Sequence, residues 1–503
     1  MQNLLSSDWG IFGIFFLTIV LFLGLADFLL KKFKVHPNTT RRIVHILVAI
    51  LVSIAPFIFE NYLQPFVLAI IFIIINFLSL GSENLKGIHG TERVSYGTIY
   101  FPISFAVLVL WFWDKDPAIL ITAMLIMGFA DPIASWVGEN AKNPKVFTII
   151  SDKKSLQGSF AMFLISFIVA TFGMLILRKF MGNEITFSTA ILIGFITAIF
   201  ATVAETISHQ GTDNLTVPLG AGLILDFLYH SPNDMRTQLI LWMLITTVIA
   251  IVAFKAKSLS LDGAVGAWLL GTIVFGIGGI EWMIPMIIFF TTSSILSHIG
   301  GEHKKILNDI FEKTGKRDFY QVFANGGFAV VTTLLFYFTK SQIWFVIYLG
   351  TVASAMADTW GTELGTFSKK LPRSILNFKK VPMGASGGIT FLGTSGAIFG
   401  SFFIAISGIL FYNYSNTITL HNSLIIWITV AGIFGMAIDS ILGLTIQAQY
   451  KCPICKKITE KTSHCGENNL QLFRGIKWFN NDVVNLSCTF SGGVIIGIIY
   501  LVG

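Results

Sequence analysis

A succession of long apolar runs decides most of what this chain can become. Roughly sixteen stretches carry almost no charge, at 9–30, 43–59, 62–80, 97–113, 117–138, 158–177, 187–207, 215–229, 237–254, 262–279, 281–300, 323–339, 342–358, 384–411, 423–445 and 483–502. Most are long enough to cross ~30 Å of hydrocarbon as a helix. Backbone polar groups in lipid must be satisfied within the chain, so such runs predict helices rather than isolated strands. The expected fold class is therefore all-α, a polytopic membrane protein of about sixteen transmembrane helices. Charged residues make up 12% of the 503 and hydrophobic ones 54%. That balance excludes a soluble globular domain, a disordered chain and a nucleic-acid-binding module. No basic residue precedes the first run, which reads as a retained span rather than a cleaved signal.

The distribution of basic residues orients the spans. With the N-terminus outside, 29 of the 34 lysines and arginines fall in inner loops, the exceptions being Lys115, Arg178, Lys179, Arg236 and Lys340. This is the expected cytoplasmic bias of a cell-membrane protein. The polar motifs also recur at an offset of eight spans, which predicts two halves of parallel topology, 1–236 and 237–503. In each half an arginine (Arg93; Arg317) leads into a glycine-containing turn, the second including Asn325. A span then ends in an aspartate (Asp131; Asp358). A basic loop (Lys153 and Lys154; Lys379 and Lys380) runs into small residues (Gly158-Ser159; Gly384-Ala-Ser-Gly-Gly388). Finally a span ends in a carboxylate (Glu205; Asp439) and another opens on an Asn/Asp pair (Asp213-Asn214; Asn481-Asp482).

Carboxylates and cations gathered at the ends of spans are costly unless they pair or do work. Asp131, Glu205 and Asp213 in the first half, and Asp358, Asp439 and Asp482 in the second, are the residue types that hold Mg²⁺ together with substrate phosphates. Arg93, Lys153 and Lys154, like Arg317 and Lys380, suit the charge that shifts in phosphoryl transfer. Backbone N–H groups at Gly158-Ser159 and across Gly384, Ser386, Gly387 and Gly388 suit a phosphate, and tight helix packing is their bland alternative. Asn214, Asn325, Asn481 and Asn485 are candidate nucleotide contacts. Glu363, five residues beyond Asp358, need not share its face unless the helix has already ended. His45, one turn inside a span, reads first as a hydrogen-bonded membrane histidine.

The last inner loop carries Cys452-Pro-Ile-Cys455 and His464-Cys465. Four cysteines in the whole chain are too few for a disulfide scaffold. This group reads either as plain reduced thiols or as a Zn²⁺ knuckle with an irregular second half, because adjacent residues rarely both ligate one tetrahedral ion.

The first half resembles the phytol kinase and dolichol kinase family of polyprenol kinases, which is related in pattern to phosphatidate cytidylyltransferases. The matching stretches are Arg41-Arg-Ile-Val-His45, Phe129-Ala-Asp-Pro-Ile-Ala134, Lys154-Ser-Leu-Gln-Gly-Ser159, Glu205 and Asp213-Asn-Leu-Thr-Val-Pro218. Gln157 departs from that family, which more often has a glutamate there. The second half resembles the phytyl-phosphate kinase family, related to transmembrane protein 19, through Lys257-Ser-Leu-Ser-Leu-Asp-Gly263, Gln321-Val-Phe-Ala-Asn-Gly-Gly327, Ala357-Asp-Thr-Trp-Gly-Thr-Glu-Leu-Gly365, Gly384-Ala-Ser-Gly-Gly388, Ile438-Asp-Ser-Ile-Leu-Gly443 and Asn480-Asn-Asp-Val-Val-Asn485. The resemblance implies a fused pair of salvage kinases. One would phosphorylate an isoprenoid alcohol such as phytol, with CTP and Mg²⁺, and the other would extend the monophosphate to a diphosphate. Two rivals remain at this stage: a lipid transporter built from two repeats, and a cytidylyltransferase acting on a lipid phosphate.

Overall fold

The computed structural model describes residues 7–79, 96–150, 152–299 and 316–502. Arg93 lies outside the described residues, as do Lys86, Lys304, Lys305 and Lys313 among the inner-loop cations. The chain is an all-α polytopic membrane protein. Among the described residues, thirteen helices are long and apolar enough to cross a membrane, and Leu63–Ser79 and Gly97–Phe112 are shorter apolar helices. Each expected run overlaps a described helix.

The chain divides into two compact units, Met1–Pro232 and Asn233–Gly503. The first holds α1 (Asp8–Phe33), α2 (Pro37–Ser53), α3 (Leu63–Ser79), α4 (Gly97–Phe112), α5 (Pro117–Asn140), a hairpin of β1 (Val146–Thr148) and β2 (Lys153–Ser155), α6 (Leu156–Phe180), α7 (Phe187–Ile207) and α8 (Asp213–His230). Helix α5 is its most enclosed member, packed against α2, α6 and α8. The second unit holds α9 (Asn233–Lys255), α10 (Leu261–Gly278), α11 (Ile280–His298), α12 (Phe319–Thr339), α13 (Ile343–Gly365), the short strands β3 (Arg373–Ser374) and β4 (Gly388–Ile389), α14 (Phe391–Ser415), α15 (Leu424–Thr445), a three-stranded sheet of β5 (Gln449–Lys451), β6 (Ile458–Thr459) and β7 (Gln471–Arg474), and α16 (Asn481–Val502). Here α13 is enclosed by α14, α15 and α16. Its core is aromatic: Trp282, Phe345 and Tyr348 are fully buried, and the Tyr348 hydroxyl donates to the Trp282 carbonyl.

Five features differ from the expectation. Pro37 takes the first turn of α2, a position that tolerates a missing N–H, so Arg41 and Arg42 sit on the helix instead of in the loop. Neither aspartate ends its span. Helix α5 continues from Asp131 to Asn140 and α13 from Asp358 to Gly365, placing both carboxylates inside helices. Asn325-Gly-Gly forms no turn: it is helical within α12, where a Cβ on Gly326 would lie 2.4 Å from Leu270 Cδ1. The run expected at 384–411 starts as a helix only at Phe391.

Candidate functional site

Consider one end of the α5–α8 bundle. Lys154 projects from β2 to Glu205 near the C-terminus of α7, with Nζ 2.5 Å from Oε1. Side chains alternate across a strand. Lys153, paired with Thr148 at the next register position, therefore faces away and is exposed. Burial opposes the charge on Lys154, but Glu205, Asp213 and Asp131 together hold its pKa above the ordinary lysine value. Asp131 in turn feels the charges of Asp213, Lys154, Glu205 and Arg41. Three carboxylates and two cations thus converge from α2, α5, β2, α7 and α8. Glu205 is 7% exposed, and its Oε2 is buried with no hydrogen-bond partner. Asn214 is buried and donates from Nδ2 to Asp213 Oδ1 (2.9 Å), which aims that carboxylate.

Glycines let these elements meet. A Cβ on Gly97 would come within 2.8 Å of Asn214 Nδ2 and 3.1 Å of Arg41 Nη2, so the start of α4 closes down on both. Where α5 crosses α6, Gly138 and Gly158 face each other, and a Cβ on Gly138 would lie 3.8 Å from the Gly158 Cα. The Gly158 amide donates to its own N-cap, Ser155 Oγ, at 3.1 Å. It is therefore not open to a phosphate as expected; Gly158 serves capping and close packing. The Ser159 hydroxyl is buried without a partner. Gln157 shows why an amide works at its position: it accepts from the Lys145 N–H (3.1 Å) and donates to the Asn143 carbonyl (3.1 Å), whereas a carboxylate could only accept.

An apolar groove leads to this cluster. Ile19, Leu23, Val44, Val48, Leu68, Phe72, Phe101 and Phe105 line it, and its polar residues are Arg41, His45, Asn76, Thr98 and Asn214. His45 Nε2 lies 3.2 Å from the Met127 carbonyl. A carbonyl only accepts, so His45 carries a proton on Nε2 in this contact. The sequence reading undervalued Arg41, Arg42 and His45, although the family-like Arg-Arg-x-x-His spacing marked them. Arg42 is tied to the C-terminal end of α5 by Glu139 and by Ser135 Oγ (2.9 Å).

The opposite end of the same bundle carries a separate ionic network. Arg178 Nη2 meets Asp116 Oδ2 at 2.5 Å, Lys115 meets Asp226 at 2.7 Å, and His230 lies 3.0 Å from Asp226 and 3.3 Å from Asp116. Two of the five topological exceptions, Lys115 and Arg178, are thus structural partners of buried aspartates.

In the second unit Asp439 on α15 feels the charges of Asp358 on α13 and of Glu460, and its Oδ2 is buried without a partner. Glu363 lies about 140° around α13 from Asp358. It accepts from Ser297 Oγ (2.8 Å) and stands beside Arg317, whose pKa burial pushes below the ordinary arginine value while Glu363 resists. The Arg317 guanidinium is 5.9 Å from the ring centres of Phe289 and Phe290. Asp262, absent from the expected site, ties this corner together by accepting from Ser260 Oγ (2.5 Å) and the Phe319 N–H (3.0 Å). Asp482 and Asn485 stand in the first turns of α16, and Asn481 Oδ1 accepts from Gln447 Nε2 at 3.5 Å. Asn325 Nδ2 is bonded to the Gln321 carbonyl (2.9 Å), and Lys380 is exposed.

The glycine-rich turn leans on α15. Gly384 and Gly387 have φ of 78° and 73°, and a Cβ on Gly387 would come within 2.6 Å of the Ser440 carbonyl, next to Asp439. Ser386 is held by Gln449 Nε2 (2.9 Å) and by Glu460 (3.3 Å), and the Gly388 N–H donates to the Ala385 carbonyl (3.0 Å). The counterpart of Gly158 is not this turn. It is Gly393, capped by Thr390 Oγ1 at 3.0 Å and facing Gly365 across the α13–α14 crossing.

Residues 244–493 match the family described as integral membrane protein DUF92, and residues 4–206 match the cytidylyltransferase family. Protein PGR of Arabidopsis thaliana is 30% identical over 267 residues, covering 49% of this chain and 91% of that protein. The chain belongs to the DUF92 integral membrane protein family. An uncharacterized membrane protein of Methanocaldococcus jannaschii is 28% identical over 264 residues (52% of this chain, 94% of that protein). Ahead of the DUF92 region, the likeness is to phytol kinases. The phytol kinase of Synechocystis is 29% identical over 199 residues, covering 39% of this chain and 82% of that protein. No solved structure matches.

Proposed function

We propose that the first unit is a CTP-dependent prenol kinase and that the second adds a further phosphate to its product. The observation that carries this reading is the apolar groove of the first unit ending at Arg41, His45 and Asn214, beside the Asp131–Lys154–Glu205–Asp213 cluster. An isoprenoid tail fits the groove, and its hydroxyl then stands where charged groups can handle a phosphate.

The donor set fits Mg²⁺: hard carboxylate oxygens, one of them (Glu205 Oε2) buried and unsatisfied. Asp131, Glu205 and Asp213 would hold Mg²⁺, which would offset charge on the nucleotide phosphates. Lys154 and Arg41 supply fixed positive charge for the transferred group. His45 Nδ1 or Asp213 takes the hydroxyl proton as the oxygen attacks. In the second unit the attacking group is already an anionic phosphate oxygen, so Arg317 serves attraction more than proton removal. Asp358 and Asp439, with the unsatisfied Asp439 Oδ2, form the donor pair there. The basic-residue distribution favours placing the reacting face on the cytoplasmic side of the cell membrane, with the N-terminus outside.

The likeness to cytidylyltransferases favours one rival, transfer of CMP to a lipid phosphate. CTP labelled at either the α or the γ phosphate separates the two. The kinase reading expects γ-label in the lipid and CDP released; α-label in the lipid with pyrophosphate released refutes it. Asp131→Asn should abolish formation of the monophosphate. Tracer movement across a vesicle without nucleotide consumption would instead support a transporter.

A further inference from the structure

The loop between α15 and α16 is a small structure with almost no core. Its sheet has strands of three, two and four residues, and its buried apolar cluster is Ala448, Tyr450, Cys452 and Leu470. Folds of fewer than about 40 residues usually need a metal or disulfides to hold them. All four cysteines of the chain are free thiols.

Four ligand-type side chains converge at the tip of this loop. The Sγ atoms of Cys452, Cys455 and Cys465 and one ring nitrogen of His464 all lie within 4.8 Å of one another. His464 Nδ1 is 3.5 Å from Cys455 Sγ and 3.1 Å from Cys465 Sγ. Tetrahedral zinc with Zn–S near 2.3 Å sets its ligands about 3.8 Å apart, so the group needs little adjustment to close on an ion. The backbone is already turned for it. The Cys452 N–H donates to Lys457 O (3.0 Å) and the Lys456 N–H to Cys452 O (2.9 Å), forming a knuckle with Lys456 at φ 59°. On the other side, His464 and Glu467 exchange backbone hydrogen bonds of 3.0 and 3.1 Å. Cys465 adopts φ 53°, and this left-handed residue swings its side chain onto the same point as His464. That conformation answers the objection that neighbouring residues rarely share one ion.

We infer that Cys452, Cys455, His464 and Cys465 bind one structural Zn²⁺ that clamps this loop onto the second unit's site. Three thiolates and an imidazole leave no open position, as in structural rather than catalytic zinc centres. The clamp has a target. Glu460 follows β6 and Gln449 lies in β5, and both hold Ser386 of the glycine-rich turn; Arg474 Nη2 of β7 steadies Gln449 Oε1 at 3.1 Å. The inference is independent of the nucleotide or lipid used.

Full-length protein purified in detergent without chelator is the material for the test. Mass-spectrometric metal analysis should find about one zinc per chain. Replacement by Co²⁺ should give the visible absorption of tetrahedral thiolate coordination. Cys455→Ser and Cys465→Ser should each cut zinc content at least ~5-fold, while His464→Cys, which keeps four ligands, retains it. Cys488→Ser, in α16, should leave zinc unchanged. Chelation should speed proteolysis within 452–470. If the ligand variants aggregate, the parent's own zinc content and cobalt spectrum decide. A parent chain without zinc and without a cobalt spectrum overturns the inference, as does a disulfide among these cysteines in the reduced preparation.

Discussion

Replacing Lys154 by methionine tests whether the charged cluster is there for chemistry or for folding. The ammonium is 2.5 Å from Glu205 Oε1, and the two side chains are only 15% and 10% exposed. Glu205 Oε2 has no partner, so Lys154→Met leaves a buried carboxylate with neither oxygen bonded. Breaking a buried pair costs about 3–5 kcal/mol, and the residual exposure of the lysine argues for the lower end. For a unit of this size, about 3 kcal/mol lowers the melting midpoint by roughly 6–12 °C. Adding Glu205→Leu removes the stranded charge and should restore most of that stability, since apolar replacement of both partners is often neutral. Phosphorylation of the prenol should not return: losing one preorganised electrostatic contact typically costs ~10²–10³ in rate. Melting in detergent and monophosphate formation are read on the parent, both single variants and the double. The reasoning is refuted if Lys154→Met melts within about 1 °C of the parent, or if the double variant regains full activity.

Asp358→Asn should leave the first step intact and let prenyl monophosphate accumulate, seen by separating the products; undiminished diphosphate would remove Asp358 from the site. Val48→Phe narrows the groove and should raise KM for a long prenol roughly tenfold while sparing a short one, a methylene-scale discrimination summed over several contacts. Equal effects on both would show that the tail lies elsewhere. Gly263→Ala would put a Cβ 2.1 Å from the Arg317 carbonyl and should cost about 1–3 kcal/mol by overpacking, measured as a lower melting midpoint. Arg178→Met leaves buried Asp116 with only the longer His230 contact and should cost about 3 kcal/mol, with activity per folded molecule unchanged; a selective loss of activity would contradict a purely structural network.

Much of the candidate site was legible because lipid makes buried charge conspicuous. Asp131, Lys154, Glu205 and Asp213 stand out from apolar runs, and the structure gathers all four; Asp358 and Asp439 behave alike. Helix extents were harder, because an aspartate is easily taken for a span's end, whereas α5 and α13 enclose theirs and run on. The two basic pairs could not be divided by sequence: strand pairing sets Lys153 outward and Lys154 inward. Glycine was ambiguous for a similar reason, since Gly158 spends its amide on a cap and its bare Cα on a crossing. Glu460 and Gln449 gave no signal of their own; only folding of the α15–α16 loop brings them to Ser386.

The β1–β2 hairpin gives the turn between its strands authority over the chemistry. Because consecutive side chains there look in opposite directions, sliding β2 by one position against β1 would present Lys153 to Glu205 and send Lys154 outward. The number of residues in that turn is thus under the same constraint as the lysine itself, although none of them need touch a substrate.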